Sequence, residues 1–393
     1  MVFRSSLARR GRAACAAFAL TLAGSSAAVV PARASASPAG PPVDVIVRQV
    51  AGAGQAAEAA VETLGGHVGR HLGIIDGFSA QVPTNRVPEL SAAPGVVSVT
   101  RDASLRLQTD AWTADSDLGS LRNVAKAIGA AEAWDEGVTG KGVDVALIDS
   151  GVAPVEGLEG SDKVVNGPDL SSEPGDVARP GVDTFGHGTH LAGIIAGRDS
   201  ASGAGRFTGI APDARLVSVK VASADGATDV SQVIEAIDWV VQHRHDNGLN
   251  IRVLNLSYST DAAPSYVLDP LAHAVESAWF HGVVVVASAG NDGLEAAQLT
   301  SPAVDPYVIA VGASDHQGTQ TTADDVVASL SNRGNAIRHA DLVAPGRSIV
   351  SLRDPGSYID SHHPEGLVAG DAEHRFFRGT GTSQSTAVVS GAV

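Results

Sequence analysis

Cysteine is nearly missing from this 393-residue chain, whose single copy, Cys15, falls in an N-terminal segment of distinct character. The remainder has no disulfide and no thiol chemistry, so its stability has to come from its core or from bound ions. Basic residues are in deficit as well, with 27 Lys and Arg against 43 Asp and Glu and a formal net charge of −16. Nucleic acid and anionic membrane both reward a basic face, so neither is an expected partner. There is no H-E-x-x-H, no EF-hand loop, no internal repeat and no sustained heptad, which removes the usual sequence signs of zinc, calcium and coiled coil. Aromatic residues are scarce at 4%, whereas 44% of the chain is hydrophobic and glycine occurs 44 times. That balance describes a globular protein with a large core, tight turns and close-packed elements. The length suggests two or three domains.

The first 34 residues form one of these parts. Arg4, Arg9, Arg10 and Arg12 make a positive start, Ala13 to Val30 is mostly apolar, and Ala32-Arg33-Ala34 reads as an A-x-A cleavage site. This is the pattern of an export signal, too short and soft for a membrane span. Gly11-Arg12-Ala13 continues the arginine pair poorly for a twin-arginine signal, which favours the general secretory route. A secreted, extracellular protein is expected. Residues 35–110 then comprise a Pro/Ala/Gly linker and a small unit. Val43 to Val47 alternates as a strand, Gly54 to Leu64 reads as a helix, and His67 to Ile75 and Gly77 to Val82 read as strands. A helix from Thr84 to Ala92, capped by Thr84, and a strand from Val96 to Thr100 complete it. The order β-α-β-β-α-β is ferredoxin-like, and its place between a signal and a larger domain suggests a propeptide.

The larger domain spans 111–393. A helix is expected over Leu121 to Trp134, followed by strands at Val143 to Ile148, Ala214 to Val221, Ile251 to Tyr258, Val283 to Ala287 and Tyr307 to Ala313. Helices are expected at His187 to Ala196, Val230 to His245 and Leu268 to His281. Continuous apolar strands separated by helices specify an α/β fold: a doubly wound, mostly parallel sheet covered on both faces.

Four places fall where such a fold holds its ligands, at the C-terminal ends of strands or on a helix entering from them. Asp149 ends an apolar strand before Ser150-Gly151, as an Asx-turn acid or as a carboxylate that orients a histidine. His187 opens a helix between Gly186 and Gly188. His190, one turn later, reads as a satisfied packing histidine, and with neither H-E-x-x-H nor cysteine nearby the pair is a poor zinc site. Asn291 leaves a buried strand in Ser288-Ala289-Gly290-Asn291, where its amide can serve its own turn or donate to a developing oxyanion. Ser383 lies in Gly379-Thr380-Gly381-Thr382-Ser383, a glycine turn that runs into a small-residue helix. There a hydroxyl is exposed beside unpaired backbone N–H groups.

Together and in this order, Asp149, His187, Asn291 and Ser383 with their surrounding motifs resemble the subtilisin family of serine endopeptidases, from about Trp134 to the C-terminus. Gly77-Phe78-Ser79-Ala80 and Pro94-Gly95-Val96 resemble the inhibitory propeptide of the same family. The resemblance implies Ser383 as nucleophile, His187 as general base, Asp149 as its orienting carboxylate and Asn291 as oxyanion donor. It implies a peptide substrate, the propeptide as intramolecular inhibitor, a monomer and no organic cofactor. It places an extended peptide between Ala224-Asp225-Gly226 and Ser257-Tyr258-Ser259. Ser288, Ala289, Gly290, Leu299 and Thr300 would line the pocket for the residue before the cut, and Ser301-Pro302 would be cis.

Several positions depart from the family pattern. Ser259-Thr260 stands where a glycine pair is usual, and Tyr258 replaces a smaller aliphatic residue, which should reshape the distal apolar subsite. Gln384-Ser385-Thr386-Ala387 replaces Met-Ala-Ser-Pro after the nucleophile. No calcium loop is recognisable over Arg198 to Phe207, which leaves calcium open without a site to support it. The stretch Arg353 to Arg378, with His362, His363, Asp371, Glu373 and His374, reads as a solvated loop. Propeptide removal is expected between Arg101 and Leu118. The chain stops at Val393, partway along the expected nucleophile helix, so the domain reads as truncated. Two rival readings are a catalytically inactive peptide-binding relative, or inactive fragment, and an α/β-hydrolase esterase. The esterase would require a G-x-S-x-G elbow and a different triad order.

Overall fold

The computed structural model describes residues 40–393 except 54, 103–111, 161, 174–180, 201–205 and 261–264. The export-signal reading and most of the linker and processing segment lie outside the described residues. The chain divides into two units, Met1–Arg106 and Leu107–Val393.

In the first unit, β1 (Pro42–Gln49), α1 (Ala56–Thr63), β2 (His67–Leu72), β3 (Gly77–Pro83), α2 (Val87–Ser91) and β4 (Val96–Arg101) follow in the expected order. The strands form one antiparallel sheet in the order β2-β3-β1-β4. Val45 and Val47 of β1 and Phe78, Ala80 and Val82 of β3 point to one face, where Ala57, Val61 and Leu90 of the helices cover them. Two local expectations change. The strand from His67 ends at Leu72, because Gly73–Ile75 forms a 3₁₀ turn closed by Asp76 at φ 47°. Thr84 does not cap a helix: its hydroxyl donates to the Pro41 carbonyl at 2.7 Å, and α2 starts at Val87 with a proline in its first turn.

The second unit begins with α3 (Leu121–Ala127) and α4 (Ala130–Asp135). One helix was expected here; Gly129, at φ 77°, breaks it in two. Then come β5 (Asp144–Asp149), β6 (Val164–Asp169), α5 (His187–Ala196), β7 (Arg215–Lys220), α6 (Val230–His243), β8 (Ile251–Leu256), α7 (Pro270–Phe280), β9 (Val284–Ser288) and β10 (Ile309–Asp315). The shorter β11 (Val326–Val327), β12 (Leu342–Pro345), β13 (Ile349–Leu352), α8 (Tyr358–His362), β14 (Phe376–Gly379) and α9 (Thr382–Ala392) complete it. The main sheet runs β11-β10-β9-β8-β5-β7-β6 with β12 added beside β10. Every pairing is parallel except β10 with β11. β13 and β14 form a separate antiparallel pair. The sequence pattern missed β6 because Asn166-Gly167-Pro168 interrupts its apolar run, which an edge strand tolerates.

Strand alternation divides the core. Val145 and Leu147 face α5 and α9, where Leu191, Ile194, Ile195, Ala387 and Val388 pack against them. Ala146 and Ile148 face α6 and α7, meeting a second cluster with Val233, Ile237, Leu271 and Val275. Helix α9 is polar in composition yet buried from Thr382 to Ser390. Its hydroxyls find acceptors: Ser385 Oγ donates to Ala344 O, Thr386 Oγ1 to Thr382 O and Ser390 Oγ to Asn255 Oδ1. Each bond removes the cost of burying an unpaired hydroxyl.

The loop from Thr300 to Val308, which holds the cis Ser301–Pro302 bond, is clamped by Arg338. Its guanidinium donates from Nε to Ala303 O and from Nη2 to Val308 O, each at 3.0 Å, and from Nη1 to Asp341 Oδ1 at 2.7 Å. The side chain is 17% exposed. Arg338→Ala removes the donor to two loop carbonyls together, so chemical denaturation should show a loss of about 3 kcal/mol. An unchanged midpoint would mean that water replaces the guanidinium without cost.

Candidate active site

Helix α5 brings His187 to the end of β5. Gly188 permits this approach, since a Cβ there would lie 2.1 Å from Gly151 O. Asp149, 1% exposed, accepts from His187 Nδ1 at 2.9 Å (Oδ1) and 3.1 Å (Oδ2), and its Oδ1 also accepts from Ser150 N at 2.8 Å. This arrangement assigns the ring proton to Nδ1 and leaves Nε2 as the free base. Burial disfavours the charged imidazole, but the Asp149 charge and hydrogen bond, with the Asp183 charge behind them, outweigh it. The His187 pKa is therefore raised above its ordinary value of 6.5.

Sequence reading missed Asp183, which fixes the start of α5. Buried at 4% exposure, it accepts from Phe185 N, Gly186 N, Thr189 N and Thr189 Oγ1 at 2.7–3.1 Å. An acid four residues before the histidine and six before Thr189 was the available signal, since such acids satisfy helix-start amides. Burial raises its pKa despite these bonds. His190 is buried as expected, at 5% exposure, but it is not satisfied. Neither ring nitrogen has a partner among the described residues, and burial together with the His187 charge lowers its pKa to about 3.

Ser383 is the second residue of α9, in the first turn where backbone N–H groups have no intrahelical acceptor. Its hydroxyl donates to Ser257 O at 3.3 Å, and its carbonyl accepts from Ser257 Oγ at the same distance. The next residue, Gln384, lines a cavity of about 60 Å³ together with His187, His190 and Gly379, so α5 and α9 meet at this point. Asn291 approaches from the turn after β9. Its Oδ1 accepts from Thr382 N at 2.9 Å and from Thr382 Oγ1 at 3.0 Å, which fixes the side chain at the start of α9. The structure thus joins Asp149 to His187 and Asn291 to the residue before Ser383.

The expected substrate edges are present with some of their groups already engaged. Ala224 N donates to Glu173 Oε1, and Gly226 N donates to Ser223 O at 2.8 Å. Asp225 is exposed and accepts from Ala227 N. Ser257 is 8% exposed, Tyr258 half-buried and Ser259 exposed. Burial first, then the Asp149 and Asp183 charges, hold the Tyr258 hydroxyl well above its usual pKa. Tyr258, Ser259 and Thr260 face Thr228, Val230, Val233 and Leu271 across a cavity of about 160 Å³. Ser288, Ala289 and Leu299 are buried, and the last two join the core beneath α6 and α7. Thr300, 8% exposed, donates its N–H to Ala289 O and sits against Gly290.

In the stretch read as a solvated loop, His362, His363, Glu373 and His374 are exposed. Asp371 is not. It is 9% exposed and its Oδ2 accepts from Arg375 N and Phe376 N. Leu352, Arg353, Asp354, Ser357, Ile359 and Asp360 line the small cavity beside His187. Among the described residues, no group of three or more His, Cys, Asp or Glu side chains is placed to hold a metal ion. The expected calcium-loop region, 198–207, lies partly outside those residues. No helix among them is long and apolar enough to cross a membrane.

Residues 22–102 match the family described as "Putative peptidase inhibitor domain". Serine protease AprX of Bacillus subtilis is 38% identical over 260 residues, covering 65% of this chain and 56% of its own length. The minor extracellular protease Epr of the same organism is 30% identical over 255 residues, covering 65% of this chain and 32% of its own. The chain therefore spans only about half of the first relative and a third of the second. The solved structure of a cold-adapted subtilisin-like serine proteinase aligns with 64% of this chain and 74% of its own, at 31% identity and a TM-score of 0.45. Residues 140–393 match the model of the subtilase family, well over half of the sequence, and the chain belongs to that family.

Proposed function

We propose that this chain is a serine endopeptidase that cuts peptide bonds through an acyl-enzyme at Ser383. The observation that supports this reading is the Asp149–His187 hydrogen bond, taken with a serine in the first turn of the buried helix α9 and an Asn291 side chain bonded through Oδ1 to the residue before that serine. His187 Nε2 takes the Ser383 proton as Oγ attacks the carbonyl carbon, then delivers it to the leaving amine. Asp149 holds the tautomer and stabilises the imidazolium. The Asn291 amide and the Ser383 N–H stabilise the oxyanion. In the resting arrangement Ser383 Oγ bonds to Ser257 O. In the substrate complex this hydroxyl would bond to His187 instead.

An extended peptide would run between the 224–226 and 257–259 edges, with the cavity beside Tyr258 taking an apolar side chain upstream of the cut. Residues Ser288 to Gly290 and Thr300 form the wall facing the residue before the cut. The first unit acts as the inhibitor of its own chain, and the protein is exported and works outside the cell as a monomer with no organic cofactor. A binding protein that captures peptides without cutting them would leave Asp149, His187 and Asn291 in this arrangement without a use.

Incubation with an internally quenched peptide library, with mass mapping of the products, tests the activity. Internal cuts sensitive to serine-directed inhibitors are expected; an intact library bound by the protein would instead favour peptide capture. Asn291→Ala should lower kcat by about 100- to 1,000-fold with KM little changed, because the donor acts on charge that develops only in the transition state. A loss confined to KM would remove Asn291 from that role.

A further inference from the structure

The Asn291 amide can act only if the turn that carries it is held still; Thr382 bonds its Oδ1, and one buried residue bonds the positions on either side of it. Asn332 is 1% exposed, in the turn after β11. Its Oδ1 accepts from Asp292 N at 2.7 Å. Its Nδ2 donates to Asp292 Oδ2 at 3.0 Å and to Gln298 O at 3.2 Å, and its backbone N–H donates to Gly290 O at 3.1 Å. Only one amide orientation serves these partners, since Oδ1 faces an N–H while Nδ2 faces a carboxylate and a carbonyl. The residues on both sides of Asn291 are therefore bonded to Asn332, and so is the strand of loop leading to Thr300. Gly290, at φ 109°, makes this contact possible: a Cβ there would lie 2.7 Å from Asn332 Nδ2.

The anchor is itself rigid. Ser331 is fully buried, its Oγ accepts from Ala313 N of β10 at 3.1 Å, and Ala328 N donates to Ala313 O at 2.8 Å. Asn335 Nδ2 adds a bond to Ala297 O at 3.1 Å. The irregular segment from Gly290 to Thr300 is thus tied to the central sheet through Asn332 as well as through the backbone bonds of Gly293 N to Leu330 O and Thr300 N to Ala289 O.

We infer that Asn332 is the positioning residue of the oxyanion amide, setting the aim of Asn291 and the spacing of the Gly290 and Thr300 walls while touching no substrate. This inference rests on the proposed protease reading, in which Asn291 stabilises charge. Misplacing a reacting group by about 1 Å costs on the order of 100-fold in rate.

The test is a double-mutant cycle on the full chain, with active sites counted by fluorophosphonate labelling and folding followed by thermal denaturation. Asn332→Ala should lower kcat by about 10- to 100-fold per labelled site. In an Asn291→Ala background, where no amide remains to be aimed, the same change should cost less than about threefold in kcat while still raising KM through the loosened pocket wall. Equal losses in the two backgrounds, or an unchanged kcat in the first, overturn the inference. If Asn332→Ala does not fold, Asp292→Ala replaces it, removing one acceptor at an exposed position; a kcat loss that disappears without Asn291 supports the role, and one that persists refutes it. Failure of the protease reading looks different, because the unaltered chain would then neither label nor hydrolyse.

Discussion

Ser383→Ala is expected to lower kcat by on the order of a million-fold and to leave the chain folded. Every group that would assist Ser383 depends on its oxygen: His187 accepts a proton only from a nucleophile that attacks, and the oxyanion donors act only on an intermediate that forms. What remains is the slow attack of water on a bound peptide. Folding should survive because the lost hydroxyl makes one long bond, 3.3 Å to Ser257 O, in a helix anchored by Thr382, Ser385, Thr386 and Ser390. Junction cleavage between residues 101 and 118 should vanish with the activity, so electrophoresis would show the full-length precursor. A processed, active alanine variant would refute Ser383 as the nucleophile.

Asp149→Asn is expected to cost about 10⁴-fold in kcat. The asparagine keeps the acceptor for Ser150 N but turns an NH₂ toward His187 Nδ1. The ring proton then moves to Nε2, which can no longer accept from Ser383. The pH profile separates this from simple misfolding. With Asp149 present the His187 pKa lies above 6.5, so the acid limb of kcat/KM should fall above pH 6.5. Without the carboxylate, burial is the larger remaining influence and disfavours the imidazolium, so the residual activity should have its acid limb at lower pH. The stability contribution has its own direction. Because the folded pKa is raised, the His187–Asp149 pair stabilises the fold fully below the unfolded histidine pKa, and this contribution is lost as pH rises through the folded value. The pH at which catalysis is best is therefore one at which this pair stabilises least. An acid limb that did not move in Asp149→Asn would show that another group titrates.

The reach of the sequence depended on the kind of residue. Strands buried on both faces carry continuous apolar runs, so β5, β7, β8, β9 and β10 were legible to within two residues. Helix α5 was legible at both ends because Gly186 and Gly197 flank it. The edge strand β6 is interrupted by Asn166-Gly167-Pro168, and the short strands β11 to β14 have too few residues to establish a period. Site residues at strand ends and glycine turns stood out individually, and their order supplied the family resemblance. The supporting residues did not. Arg338 and Asn332 hold loops about 30 to 40 residues away, and nothing in their local sequence distinguishes a buried, fully bonded polar side chain from one on the surface, whereas Asp183 holds amides two to six residues away and left a local sign in its spacing. His190 shows the opposite error: a histidine on a buried helix face suggested a satisfied ring, and neither nitrogen has a partner among the described residues.

The central claim is that Ser383 is a nucleophile activated by His187 and Asp149. The most direct measurement is labelling of the purified chain with a fluorophosphonate probe, followed by peptide mapping of the adduct. One adduct per chain is expected, on Ser383, absent in Ser383→Ala and formed far more slowly in Asp149→Asn. A folded protein that takes no label, or takes it on another serine, would contradict it.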